Sequence, residues 1–308
     1  MPDRPGALAA IGNTPIVKLS NFAGADAAEI WVKLEGANPT GSYKDRMALA
    51  MIEGAESAGR LGPGQTVVEY TGGSTGSSLA FVCSIKGYPL RIVSSNVFAE
   101  EKLQTMRAFG AELELIHSDE GIHPDLIPQM RARAEEIVEQ EGAFLTDQFH
   151  NLDTLNGYLE LGREVLDQID GELHGAVAYV GIGGAFTGLT RPIHERWPEA
   201  IRTVVEPAES AVIAGHPAGS HMIEGGGVGF VPSLITTDSY DRLDAVSTAD
   251  AFEAARRLAR TEGVWTGPSG GASVVAAMRL ARELGPGHRV VTLQPDSGLK
   301  YLNGPIYR

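Results

Sequence analysis

Short apolar runs rich in β-branched residues alternate along this chain with longer amphipathic stretches, and that alternation limits the fold more than any other feature. The runs lie at residues 30–34, 66–70, 90–94, 112–116, 176–180, 203–206 and 289–293. Most are continuous rather than alternating, as expected for strands covered on both faces. Helical patterns occupy 45–58, 99–109, 125–140, 154–169, 249–262 and 272–284. Strand, helix, strand in repetition predicts βα units around mainly parallel sheets, an α/β fold. The 308 residues suffice for one large domain or two ordinary ones. No internal repeat and no long linker divides them, so two domains would have to be interwoven.

Charge and cysteine usage narrow the function. A formal net charge of -14 repels nucleic acid and sets that partner aside. The one cysteine, Cys83, cannot form an internal disulfide, which fits a reducing compartment. No run approaches the ~20 apolar residues that span a membrane, and residues 1–15 lack the apolar core of a signal peptide. The expectation is a soluble, cytoplasmic protein. Several familiar motifs fail on spacing. Gly181-Ile182-Gly183 opens like a dinucleotide fingerprint, but Phe186 stands where its third glycine belongs. Ser42 replaces the lysine a P-loop would need after Gly41. No histidine pair at i, i+4 supports a zinc site, so no metal is expected.

The glycines gather where predicted strands meet predicted helices, the place where open α/β sheets bind ligands. Residues 181–185, GIGGA, follow one strand; converging N–H groups there would cradle a phosphate, or the segment is simply a tight turn. Residues 71–76, TGGSTG, precede an apolar helical stretch at 77–84 and offer hydroxyls and backbone donors suited to a carboxylate, or again a glycine turn. In 267–271, GPSGG, Ser269 reads as a ligand contact or a plain N-cap. Lys44 sits at the predicted start of a helix, where the dipole disfavours its charge and makes the amine a better nucleophile. Alone it also reads as a surface lysine of an amphipathic helix.

Taken together these pieces resemble the cysteine synthase (O-acetylserine sulfhydrylase) and cystathionine β-synthase family of fold type II pyridoxal-phosphate enzymes. The resemblance rests on Ile11-Gly12-Asn13-Thr14-Pro15, on Lys33, Glu35, Asn38-Pro39, Gly41-Ser42 and Lys44-Asp45-Arg46, on Gln148-Phe149-His150-Asn151, and on residues 223–232, IEGGGVGFVP. It runs from Ile11 to Tyr301. It implies a tryptophan synthase β-like fold with two interwoven, open, mainly parallel sheets and helices on both faces. The implied division is a large cofactor domain from 1–36 and 149–308 and a smaller mobile domain, 37–148, for the substrate carboxylate. The implied cofactor is pyridoxal 5'-phosphate, held as a Schiff base by Lys44. Gly181, Ile182, Gly183, Gly184 and Ala185 would bind its phosphate, Ser269 its pyridine nitrogen and Ser74 its phenolic oxygen. Thr71, Gly73, Ser74, Thr75 and Gln148 would hold the substrate carboxylate. A homodimer is implied as well.

The sequence departs from the family in two of these loops. The usual Thr-Ser-Gly-Asn-Thr-Gly reads TGGSTG at 71–76, so Gly72 loses a serine and opens space, and Ser74 replaces an asparagine. Ile182 and Ala185 replace threonines of the phosphate turn, leaving backbone N–H groups and Thr187. The activity implied is β-replacement on an O-activated serine-type amino acid, most simply cysteine formation from O-acetylserine or O-phosphoserine and sulfide or another small nucleophile. Serine/threonine ammonia-lyase chemistry is the alternative with the same cofactor. A non-catalytic homologue that binds a partner protein is the alternative of another class.

Overall fold

The computed structural model describes residues 6–119 and 125–308. In chain order the described strands are β1 (Ile16–Lys18), β2 (Glu29–Leu34), β3 (Val67–Tyr70), β4 (Leu90–Ser95), β5 (Glu112–Ile116), β6 (Phe144–Leu145), β7 (Gly175–Tyr179), β8 (Ile201–Pro207), β9 (Arg242–Val246) and β10 (Arg289–Gln294). The described α-helices are α1 (Lys44–Ser57), α2 (Ser74–Lys86), α3 (Glu100–Ala108), α4 (Leu126–Glu141), α5 (Asp153–Gln168), α6 (Gly184–Arg196), α7 (Thr248–Glu262) and α8 (Pro268–Leu284). The chain condenses into two compact units. One comprises Lys44–Gly157 with the N-terminal stretch up to Ile11; the other comprises Gly12–Tyr43 and Tyr158–Arg308.

In the first unit the described strands form a four-stranded parallel sheet, ordered β5-β4-β3-β6. All four residues of β3 are buried. Met130, Ala134 and Ile137 of α4 recur at helical spacing and pack with Val68, Tyr70 and Val93 of the sheet. In the second unit the described strands form a six-stranded sheet, ordered β1-β2-β10-β7-β8-β9. Every pairing in it is parallel except β1 with β2. All five residues of β7 are buried. Small residues of α8, among them Ala272, Ala276 and Ala277, share a core with Val177 and Val290.

The α/β architecture with two mainly parallel sheets is the one the alternating pattern predicts. Three strands lacked a sequence signal: β1 and β6 are very short, and β9, RLDAV, is an edge strand with no apolar run. Two helices also begin earlier than their apolar patterns suggest, and both shifts bear on the site. α2 starts at Ser74 and α8 at Pro268, so parts of two supposed turns are first helical turns. Among the described residues no helix is long and apolar enough to cross a membrane.

Candidate active site

In the first unit, β3 delivers the chain into residues 71–73 and α2 begins at once. Gly73 is the N-cap, with extended backbone and no side-chain cap. The first N–H groups of α2 therefore lack a capping side chain, and the positive end of the helix is an anion seat. Two buried hydroxyls flank it. Thr71 Oγ1 accepts the Gly73 N–H at 3.2 Å, and Thr75 Oγ1 donates to Gln148 Oε1 at 2.7 Å. The structure thus brings Thr71, Gly73, Ser74, Thr75 and Gln148 together around one helix start.

Gln148 is held from behind. Its N–H donates to Glu69 Oε2 at 3.1 Å. Asp147, next to it, takes the left-handed region with φ 44, which is uncommon for a residue with a Cβ. The Asp147 carboxylate accepts the Tyr70 hydroxyl at 3.1 Å and pairs with His150 Nδ1 at 2.9 Å. Phe149 stacks on Tyr70 with centroids 5.9 Å apart. Glu69 is fully buried, and desolvation pushes its carboxyl up to about 7 against the hydrogen bonds from Thr146, Gln148 and Tyr70. Glu69 had no place among the sequence-derived site residues. Its signal was available: one carboxylate in the otherwise apolar run Val67-Val68-Glu69-Tyr70.

The space expected at Gly72 is not open. A Cβ built there would lie 2.1 Å from Phe98 Cγ, so the phenyl ring already fills the place of the missing serine. Lys44 is the first residue of α1 and only 9% exposed, which does not fit a lysine on an outer helix face. Asp45 and Arg46 beside it are buried too.

In the second unit, β7 runs into the turn at 181–183, and Gly183 is the N-cap of α6. Gly183 has φ 91, and a Cβ on it would come within 2.9 Å of Leu234 Cβ, so only glycine fits. A Cβ on Gly181 would meet the Gly225 carbonyl oxygen at 2.5 Å, and one on Gly225 would stand 3.9 Å from Ser269 Oγ. Gly225 thus links the glycine turn to Ser269. Ser269 is buried in the first turn of α8; the N-cap there is Gly267, so Ser269 is not a capping serine. Its carbonyl accepts the Ser273 hydroxyl at 2.9 Å, and Ser273 Oγ accepts the Tyr179 N–H at 3.0 Å. That chain ties the start of α8 to the end of β7. Gly184 and Ala185 form the first turn of α6, and Ile182 precedes its cap. In that helix Thr187 has a buried hydroxyl without a hydrogen-bond partner. Among the described residues no acidic, histidine or cysteine cluster could hold a metal ion.

Known proteins match this arrangement along nearly the whole chain. The family described as pyridoxal-phosphate dependent enzymes matches residues 7–296. A cysteine synthase from Staphylococcus aureus (strain Mu50) is 40% identical over 299 residues, covering 96% of this chain and 95% of that protein. The crystal structure of O-acetylserine sulfhydrylase isoform 3 from Entamoeba histolytica superposes with TM-score 0.92 at 32% identity, covering 99% of this chain and 91% of that one. An O-acetylserine-dependent cystathionine β-synthase from Helicobacter pylori gives TM-score 0.90 at 33% identity, covering 100% of both chains.

Proposed function

Because the chain belongs to the pyridoxal-phosphate dependent enzymes, we propose that it catalyses β-replacement on an O-activated serine-type amino acid, most simply making cysteine from O-acetylserine or O-phosphoserine and sulfide. The residues present fit the cofactor. A buried, unpartnered hydroxyl at Thr187 and a side-chain-free turn at Gly181 and Gly183 suit a phosphate, whose charge the start of α6 would favour. When bound, pyridoxal phosphate supplies the electron sink for a negative charge developing at the substrate α-carbon.

The chain's own residues divide the remaining work. The Lys44 amine would anchor the cofactor and would be the base for the α-proton. Backbone N–H groups of residues 181–185 would hold the phosphate. Ser269 would meet the pyridine nitrogen; a hydroxyl there would not hold a proton on the ring as a carboxylate would, which would favour loss of the β-substituent. Thr71, Gly73, Ser74, Thr75 and Gln148 would take the α-carboxylate, and Ser74 would also serve the cofactor's phenolic oxygen. Residues 37–148 act as the smaller mobile domain that carries the carboxylate seat. The working protein is a homodimer in the cytoplasm; the lone buried thiol, Cys83, supports a reducing compartment.

The observation that carries this reading is the Thr75–Gln148 hydrogen bond at the uncapped start of α2. With the Thr75 proton committed to Gln148 Oε1, the Gln148 amide N–H groups and the helix N–H groups would serve one small anion. The test is a steady-state assay on O-acetylserine with and without sulfide. A new β-substituted amino acid that requires the thiol supports the synthase. Pyruvate released at the same rate without thiol identifies an ammonia-lyase instead.

A further inference from the structure

Glu69 is a fully buried carboxylate inside an apolar strand, and none of the roles above falls to it. Burying such a charge is costly, and among the described residues no cation pairs with it. Three donors meet it instead. The Tyr70 N–H reaches Oε1 at 2.9 Å, and the Thr146 hydroxyl and Gln148 N–H reach Oε2 at 2.6 and 3.1 Å. Two of these come from the segment after β6, far along the chain. An apolar residue would pack β3 at lower cost, but it could not reach across to hold Gln148.

We propose that Glu69 is a positioning residue for the substrate-carboxylate seat: it fixes the Gln148 main chain so that the Gln148 carboxamide meets Thr75 at the start of α2. The linkage is continuous, from Glu69 Oε2 to the Gln148 N–H and from Gln148 Oε1 to the Thr75 hydroxyl. The backbone beside it needs holding. Asp147 lies in the left-handed region at φ 44, a conformation that persists where surrounding contacts over-determine it. Glu69 supplies that constraint on one side, and Tyr70 and His150 supply it through the Asp147 carboxylate. The identity of the bound carboxylate rests on the proposed β-replacement; the anchoring of Gln148 does not.

The test uses cofactor-loaded protein and two variants, Glu69→Gln and Thr146→Val. A glutamine keeps the shape but has one acceptor oxygen, so it cannot serve both the Tyr70 N–H and the 146–148 donors. Two readouts are taken: the O-acetylserine concentration that half-saturates the change in cofactor absorption, and hydrogen exchange of the peptide covering 144–150 without substrate. Measured above about pH 7, where the Glu69 carboxyl is mainly ionised, Glu69→Gln is expected to raise the half-saturating concentration about tenfold or more, the scale of one lost charge-assisted hydrogen bond. The free cofactor band and saturated kcat stay within about twofold, and the 144–150 peptide exchanges faster. Thr146→Val moves both readouts the same way by less. Half-saturation unchanged in Glu69→Gln, exchange unchanged, or a fall in kcat alone would each overturn the proposal. If wild-type protein gives no absorption change with O-acetylserine, the functional reading fails, and the exchange comparison still decides whether Glu69 anchors the segment.

Discussion

The ring of Phe98 occupies the volume that a side chain at Gly72 would need, with Cγ, Cδ1 and Cδ2 all within 2.3 Å of a Cβ built there. Cγ is the root of the ring rather than its flexible end, so relief requires a rotamer change or movement of the loop at 71–73. Gly72 and Phe98 are therefore one unit: the loop has given up a serine, and an aromatic wall has taken its place.

Gly72→Ser alone should force that movement. Overpacking of this kind costs about 1–3 kcal/mol, and we expect the half-saturating substrate concentration to rise several-fold. Adding Phe98→Ala should return most of the loss, because the serine then has room. The check is a double-mutant cycle on half-saturation, with an expected coupling of about 1 kcal/mol. Additive effects would show that the ring and the loop are independent.

The pH dependence of stability should carry a mark from Glu69. Its folded carboxyl is raised from 4.5 to about 7 by burial, so the folded state binds the proton more tightly than the unfolded chain does. Its contribution is fully present below about pH 4.5 and is lost as pH rises through about 7. The loss is on the order of 3 kcal/mol. Thermal melting of wild type against Glu69→Gln between these pH values should show the wild type losing ground steadily as pH rises. Parallel curves would mean that Glu69 does not titrate in this window.

A second buried charge should behave differently because it has an anion. Lys33 is fully buried, and its Nζ donates to the Thr14 carbonyl at 2.6 Å, Glu164 Oε2 at 2.7 Å and Gln168 Oε1 at 2.8 Å. Glu164 Oε1 also accepts the Asn13 N–H at 2.8 Å, tying the IGNTP segment to α5. Glu164→Leu removes the carboxylate that Lys33 Nζ donates to at 2.7 Å and should cost on the order of 3–5 kcal/mol. Glu164→Gln keeps an acceptor and should cost less. Melting of the two variants side by side checks the order; equal losses would point to packing rather than charge.

The frame of this molecule was legible in the sequence because strands buried on both faces tend to run apolar without alternation, as β7 does throughout. What escaped has physical causes. β9 pairs at an edge and puts Asp244, neutralised by Arg242 and Arg279, at one of its two buried positions, so no apolar run announces it. The starts of α2 and α8 were blurred because glycine, serine and threonine weaken a helical pattern. The glycine clusters at 71–76 and 181–185 were visible as turns before helices. That Phe98 would lie on Gly72, or that Glu69 would reach Thr146 and Gln148, depends on loops returning from distant parts of the chain, and no local pattern carries that information.

Thr187 separates a cofactor role from a structural one by sign. Its hydroxyl is buried without a partner, one helical turn past Gly183. A buried hydroxyl in that condition is a cost to the cofactor-free protein, and valine has nearly the same shape without it. Thr187→Val should therefore leave the apo protein as stable as wild type or more so. If the hydroxyl donates to the cofactor phosphate, the same change removes a hydrogen bond to a charged group, worth about 1.5–3 kcal/mol. Pyridoxal phosphate would then bind about 10- to 100-fold more weakly. Apo melting and equilibrium titration of the cofactor give the two numbers. Opposite signs mark Thr187 as a phosphate donor that compensates for the threonines absent at Ile182 and Ala185. Unchanged cofactor affinity would leave the phosphate to backbone N–H groups alone.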